Sequence, residues 1–464
     1  MRCLLFICLL LGALPALALD RLQAQGYLLP NGLQVLLKPG YDKGHVAIRL
    51  VVGVGFDDFP CEAKELPHLL EHLMFSGIDD SGEGGLEERM QALGGDWNAF
   101  TSNADTTFVI EAPARNQRKV LDLLMDVLTR TELTQERLDT VRRIVAREDG
   151  GHTSRLQKLL DQRDPSHSAS NQLASEMGLK CAARSEVDDI PLQALQEALA
   201  TWYAANNMTL IVVGDLDKLL PGYVQRVYGK LAATEPVERR ALASAGHPAE
   251  KRRILPRGML GENARLHLIF REPPLADQHD EIWELVKANL EWALYSELRL
   301  KRGLSYGPSV EREVFGDTGL MSLIVDVDRS DLKQAEQAIT ALLVQLRRDG
   351  LQADSFARLK QVAIDRQAWA VQGNSALADY YWGALNDYED GRFSDPAKRI
   401  KAVSLESTNQ ALRQLLEQPG YVRIQQPRFS YDGLYWLAVG VLWLVVLLLA
   451  GGWWYRYGRK PKSR

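Results

Sequence analysis

The sequence predicts an α+β protein of two similar halves, carried between an export signal at one end and a membrane span at the other. Three observations lead there. The chain has 464 residues, enough at about 100–200 residues per domain for two or three substantial cores. Apolar runs of strand length alternate along the body with runs of helical period. A polar stretch, Ala232–Arg253, separates two sets of elements that follow the same order.

Composition excludes several classes. With 25% charged and 46% hydrophobic residues, 36 Gly and 19 Pro, the body is neither disordered, collagen-like nor a many-span membrane protein. Net charge is −5. Setting aside Arg2 and the cations Arg456, Arg459, Lys460, Lys462 and Arg464 leaves −11 for residues 19–455. Such an acidic body excludes a nucleic-acid partner.

Both ends read as targeting segments. Met1-Arg2, the apolar run Cys3–Leu14 and Ala16-Leu17-Ala18 form a signal peptide over 1–18, so the mature chain starts at Leu19. Leu434–Trp454 carries no charge over its 21 residues, a length that reaches about 30 Å as a helix and crosses a bilayer. Tyr435, Trp436, Trp453, Trp454 and Tyr455 flank it as interfacial anchors. The basic tail 455–464 is cytoplasmic by the positive-inside rule, which puts the body outside the cytoplasm. Cys3 and Cys8 leave with the signal. Cys61 and Cys181 remain in an oxidising compartment, where they either pair or stay free.

Between the ends the elements follow in order. Pro30-Asn31-Gly32 within Tyr27–Pro39 predicts a hairpin turn, and His45–Gly55 a buried strand. Helical periods cover Glu65–Ser76, Leu86–Leu93, Gln117–Leu128, Thr134–Glu148 and Leu192–Ala205, with strands at Thr106–Ala112 and Met208–Gly214. After the linker at 232–253 come a strand at Arg265–Phe270, a helix over Asp280–Arg302, a strand at Gly319–Val327, and helices over Leu332–Arg348 and Ser355–Trp369. The domains are therefore 19–231 and 254–428.

The residues that carry chemistry lie in one helix, Leu66-Pro67-His68-Leu69-Leu70-Glu71-His72-Leu73-Met74-Phe75. Pro67 suits its first turn and Gly77 its end. His68 and His72 sit one turn apart on one face, within reach of a single metal ion, while Leu66, Leu69, Leu70 and Leu73 anchor the opposite side. Glu71 flanks the pair. This is H-x-x-E-H, the reverse of H-E-x-x-H, in which two histidines bind zinc and the glutamate takes a proton from the attacking water. At this chain's composition the pattern arises by chance with a probability of roughly 0.02. Packed or solvated helix histidines are the bland alternative.

Catalytic zinc needs a third protein ligand and an open position. Glu148 continues the apolar stripe Leu138, Val141, Ile144 and Val145, and a carboxylate on a buried face is costly unless paired or metal-bound. A wet helix-end residue beside Gly150-Gly151 is the other reading. Asp149, Glu136 and Glu132 lie off the stripe.

His68-x-x-Glu71-His72 followed by Glu148 resembles the zinc site of the pitrilysin/insulinase family, which includes the mitochondrial processing peptidase. The likeness covers most of residues 26–420. Gly94–Thr101 is similar to that family's stretch leading into its edge strand, and Leu210–Asp215 to the strand closing its first domain. Leu298–Tyr306 resembles its substrate-clamping segment, with Arg299 and Tyr306 in the places of its Arg and Tyr. One position departs: many active members carry a further glutamate two helical turns before the third ligand, where this chain has Val141.

The resemblance implies two homologous two-layer domains of antiparallel sheet with helices, enclosing a chamber. It implies one Zn2+ on His68, His72 and Glu148, and zinc-assisted hydrolysis of peptides or unfolded segments with Glu71 as proton acceptor. Substrate would pair with the edge strand near Asn98 and Ala99, while Arg299 and Tyr306 hold it and polarise its carbonyl. Because the family often assembles four such domains, a homodimer or heterodimer with a related chain is expected. A secretory signal in place of an organellar presequence implies a bacterial periplasmic enzyme on an inner-membrane anchor. The rival expectation is a non-catalytic, membrane-anchored scaffold or peptide-binding subunit supporting a partner chain.

Overall fold

A computed structural model describes residues 20–148, 168–181, 187–239, 246, 250–274 and 280–457. The expected signal at 1–18, Asp149 to Gly151 and most of the basic tail lie outside the described residues.

The first half is a six-stranded sheet in the order β1-β2-β6-β3-β5-β4. Its strands are β1 (Gln25–Leu28), β2 (Gln34–Pro39), β3 (His45–Val52), β4 (Asp96–Thr101), β5 (Thr106–Pro113) and β6 (Met208–Gly214). β1 and β2 form the expected hairpin around Asn31, whose side-chain amide donates to the carbonyls of Tyr228 and Leu231 and so pins the turn to the domain. Helices α1 (Leu66–Met74) and α2 (Gly82–Ala92) lie between β3 and β4. Between β5 and β6 come α3 (Gln117–Arg130), α4 (Gln135–Glu148), α5 (Ala169–Glu176) and α6 (Leu192–Trp202), and α7 (Leu220–Tyr228) follows β6.

The second half repeats the plan as β7-β13-β8-β10-β9. Its strands are β7 (Arg252–Pro256), β8 (Asn263–Arg271), β9 (Ser309–Phe315), β10 (Thr318–Asp328) and β13 (Tyr421–Gln426), besides a small ladder of β11 (Tyr388–Glu389) and β12 (Arg392–Phe393). Helix α8 (Asp280–Leu294) runs into a π-helical stretch, Tyr295–Lys301. After β10 come α9 (Leu332–Asp349), α10 (Ala353–Trp369), α11 (Asn374–Gly383), α12 (Pro396–Ala402) and α13 (Leu405–Glu417). In each sheet the last strand is inserted between two earlier ones, β6 between β2 and β3 and β13 between β7 and β8, so β2, β6, β3, β5 and β4 correspond to β7, β13, β8, β10 and β9. This correspondence is the internal duplication that the order of elements predicted.

Three expectations change. The sheets are mixed: β2 with β6 and β7 with β13 are parallel, because the last strand is inserted beside an earlier one that runs in the same direction. Tyr421–Gln426, where the periodicity placed no element, is an inner strand, and only Pro427–Ser430 precedes the terminal helix. The sheets are not covered on one face alone. One face of β3 enters the main core through Val46, Ile48, Leu50 and Val52. The other, through Ala47 and Val51, packs with Ile211 and Val213 against Leu377, Ala378 and Tyr381 of α11, a helix from the second half. Reciprocally, α5 from the first half lays Ala169, Leu173 and Ala174 on Ile269, Leu320 and Tyr421 of the second sheet. Burial on both faces explains why His45–Val52 is apolar on both sides, apart from Arg49, instead of alternating.

Each exchanged helix also meets a buried arginine. Arg49, 1% exposed, donates to Asp379 Oδ1 at 2.7 Å, Glu111 Oε1 at 2.9 Å and Ser375 Oγ at 3.0 Å. Arg423 donates to Glu176 Oε2 at 2.5 Å. Cys61, just before α1, is disulfide-bonded to Cys181, just after α5, with Cα atoms 5.5 Å apart. The bond ties the start of α1 to a helix seated on the other half's sheet.

Tyr431–Tyr457 (α14) is one helix of 27 residues, long and apolar enough to cross a membrane, with none of its apolar middle buried. Its approach is held to the second domain by backbone bonds from Phe429 N–H to the Met259 carbonyl (2.9 Å) and from Gly261 N–H to the Phe429 carbonyl (3.1 Å).

Because the disulfide closes a loop spanning 120 residues of sequence separation, the chain-entropy model gives it up to about 5 kcal/mol. Cys61→Ser/Cys181→Ser should lower the melting temperature of the body, and reductant should do the same to wild type. Unchanged thermal unfolding in both cases would show that the cross-link carries no stability.

Candidate metal centre

α1 is held rigidly by its apolar side. Leu66, Leu69, Leu70, Leu73 and Met74 are all at most 4% exposed and join the main core, each contributing roughly 1.5–3 kcal/mol on burial. Pro67 falls in the first turn, where no N–H is needed. The helix is followed by Gly77 at φ +108°, where a Cβ would come within 2.5 Å of the Gly82 backbone. α4 joins the same core through Leu138, Val141 and Val145. Arg137 of α4 donates to the carbonyls of Gly77 at 2.8 Å and Asp79 at 3.1 Å, clasping the chain just beyond α1.

This packing gathers three donors. The Nε2 atoms of His68 and His72 are 3.3 Å apart. Glu148, the last residue of α4, straddles them, with Oε2 3.3 Å from His68 Nε2 and Oε1 3.3 Å from His72 Nε2. For zinc bonds of about 2.0 Å the edge of a tetrahedron is about 3.3 Å, so the spacing and the N, N, O chemistry of the set fit zinc. Among the described residues this is the one group of three or more His, Cys, Asp or Glu with metal-ligand spacing. The Glu148 side chain is 46% exposed. It is therefore a helix-end residue as well as a convergent donor, and solvent reaches the site from its side.

Glu71 is not among these three donors. It is 8% exposed, and its Oε2 accepts the Thr101 hydroxyl at 2.6 Å. Thr101 closes β4, so the carboxylate beside the histidines is tied to the end of that strand. β4 is an edge strand, paired with β5 alone. On it Trp97, Ala99 and Thr101 alternate with the exposed Asp96, Asn98 and Phe100. The Ala99 N–H donates to Asn98 Oδ1 at 2.9 Å. Tyr203, after α6, is held far above the usual phenol range by burial, with the negative charge of Glu71 adding to the effect, and stays neutral.

Sequence reasoning passed over Glu65. It immediately precedes α1, is 2% exposed, and its Oε2 lies 3.1 Å from His68 Nδ1. Its i, i+3 spacing to His68 was the available signal. The His68 pKa is raised: burial pulls it down, but the Glu65 hydrogen bond and the charges of Glu71, Glu65 and Glu148 together outweigh that. Val141, the position of departure, is 3% exposed and packs in the core.

In the second half, the position corresponding to α1 is taken by α8, which carries no such donor set. Arg299 lies in its π-helical extension, a geometry common at functional sites. Its guanidinium stacks 4.2 Å from the Tyr306 ring centroid, and Tyr306 is 82% exposed. The two predicted clamp residues thus meet each other, but neither is among the contacts of the histidine pair.

Comparison with known proteins agrees with this division. Residues 35–181 match the family model described as insulinase, peptidase family M16, and residues 189–362 match the M16 inactive domain. The chain belongs to the insulinase family. An uncharacterised zinc protease of Bacillus subtilis, YmxG, is 21% identical over 411 residues, covering 84% of this chain and 95% of that protein. A probable mitochondrial-processing peptidase subunit beta of Arabidopsis thaliana is 26% identical over 186 residues, 40% of this chain and 35% of that one. The fold superimposes on the periplasmic protease PqqL from Escherichia coli with a TM-score of 0.71 at 18% identity, over 87% of this chain and 47% of that chain. The insulinase family fold of two homologous domains is thereby established for this protein.

If the three donors act together, His68→Ala, His72→Ala and Glu148→Ala should each lose bound zinc. Metal content of the purified full chain checks this, and full zinc retention by Glu148→Ala would remove it from the ligand set.

Proposed function

We propose that this protein is a zinc-dependent endopeptidase that hydrolyses peptides or unfolded segments outside the cytoplasm while anchored in the membrane by α14. The observation that carries the reading is the convergence of His68, His72 and Glu148, with Glu71 bonded to the edge strand beside them. Zinc, when bound, supplies a Lewis acid that lowers the pKa of a water and polarises the scissile carbonyl. His68, His72 and Glu148 would hold it, with the exposed side of Glu148 leaving the approach open.

The chain's own residues do the rest. A substrate backbone laid along β4 pairs with its free edge, and its carbonyl replaces Asn98 Oδ1 on the Ala99 N–H. Thr101 fixes the Glu71 carboxylate at the end of that strand, so the peptide passes the proton acceptor as it passes the metal ligands. Glu71 accepts the proton of the attacking water and returns it to the leaving amine. Arg299 and Tyr306, stacked on one another and exposed, would hold the far side of the peptide and polarise its carbonyl.

Partners and location follow the same reading. A relative named as a subunit supports assembly with a second copy or a related chain, and a periplasmic neighbour supports the periplasmic face of an inner membrane. With Pro427–Ser430 as the whole connection to α14, the body would sit close to the bilayer.

Glu71→Gln should retain zinc and fold but lose peptide hydrolysis by roughly 10²–10⁴-fold, the usual range for a general base, whereas Arg299→Ala should lower hydrolysis with zinc still bound. A peptidase assay beside metal analysis separates these. Wild-type rates in the Glu71→Gln chain would sink the mechanism, and zinc binding without hydrolysis of any peptide by wild type would favour the scaffold reading.

A reporter fused after Arg464 should report cytoplasm, and protease added to spheroplasts should digest the body. A tail reached by that protease would overturn the topology. Ending the chain after Ser430 keeps β13 and should release an active body into the soluble fraction.

A further inference from the structure

We propose that Glu65 is a positioning residue that sets the orientation of His68 for the metal and strengthens its bond. The proposal rests on the zinc reading above and goes beyond it, to a residue outside the H-x-x-E-H pattern. Glu65 stands at the N-cap of α1, yet its side chain caps nothing there. Instead the carboxylate turns inward, 3% exposed, and meets His68 Nδ1 at 3.1 Å. A buried carboxylate is costly unless a charged or strongly donating partner offsets it. The carboxylate turns away from the helix N-terminus, where both solvent and free N–H groups favour a negative charge, and its contact with His68 gives it one purpose there.

Geometry limits what that purpose can be. Nδ1 and Nε2 lie on opposite sides of the imidazole, and Nε2 of His68 is the atom that faces His72 and Glu148. Glu65 is thus behind the ring and is not a fourth ligand. A carboxylate on Nδ1 keeps the proton there, leaves the Nε2 lone pair directed at the metal, and makes that nitrogen a stronger donor. The ring is also gripped from the side: Phe56 meets it edge-on with centroids 6.2 Å apart. α4 provides no such carboxylate from its core-facing side, where Leu138, Val141 and Val145 are apolar and buried.

The test is zinc affinity of the full chain in detergent, measured by competition with a chromophoric chelator for wild type, Glu65→Gln and Glu65→Ala. The cobalt absorption spectrum of each and thermal unfolding of each metal-free protein are recorded alongside. Glu65→Ala should weaken zinc binding 10–100-fold, the range found when such partners of metal-bound histidines are removed. Glu65→Gln, whose amide oxygen can still accept from Nδ1 but carries no charge, should fall between. Both should shift the cobalt spectrum, and Glu65→Gln should unfold like wild type without metal. A purely structural role would lower the melting temperature while leaving affinity and spectrum unchanged, and that result overturns the proposal. Should wild type bind no zinc, the metal centre itself fails and the proposal with it. If wild type and Glu65→Gln bind equally and only Glu65→Ala misfolds, Glu65 is structural.

Discussion

Everything at the site depends on the packing of α1 against α4. Two imidazole nitrogens and a carboxylate lie within 3.3 Å of one another, and bringing them together costs each part of its hydration. The leucines on the far side of α1 and the apolar stripe of α4 bring the helices together regardless of what the polar faces prefer. The stabilisation lies in the core, and the donor set is held in place by it. Arg137 adds direction, since its bonds beyond the end of α1 prevent α4 from sliding along its neighbour.

The duplicated topology makes a division of labour visible. Both sheets insert their last strand between two earlier ones, β6 between β2 and β3 and β13 between β7 and β8, and both place a helix after the later of these, α1 after β3 and α8 after β8. Only the first half loads that helix with metal donors. The second lengthens it into a π-helical stretch that carries Arg299 out to Tyr306. The halves do not depend on a shared surface alone. Each lends a helix to the other's sheet, each interface buries an arginine paired with acids, and the disulfide links the approach to α1 with the helix that the first half lends. The two halves are thereby joined into one body.

A second chain of dependence runs from the edge strand to the chemistry. β4 has one neighbour, and Thr101 at its end bonds Glu71. A single hydroxyl thus ties the carboxylate to the end of the free edge. The Asn98 side chain already occupies the Ala99 N–H, so the edge is protected from casual pairing at small cost, a common device where a free strand edge must stay available without promoting aggregation.

By itself the sequence determined the local elements and the metal helix. Period, Pro67 and Gly77 delimit α1, and one turn between His68 and His72 places both rings on one face whatever the surroundings. Met208–Gly214 is legible because its apolar run is long and bounded. The tertiary structure alone decided which distant groups meet those rings. Glu148 depends on the angle between two helices, and Glu65 on a side chain turning inward where an exposed cap would serve equally in a sequence reading. The exchanged helices, the parallel strand pairs and the Cys61–Cys181 bond were likewise beyond reach. Periodicity records that a face is buried. It does not record against which part of the chain, because a leucine gains the same free energy from any apolar neighbour.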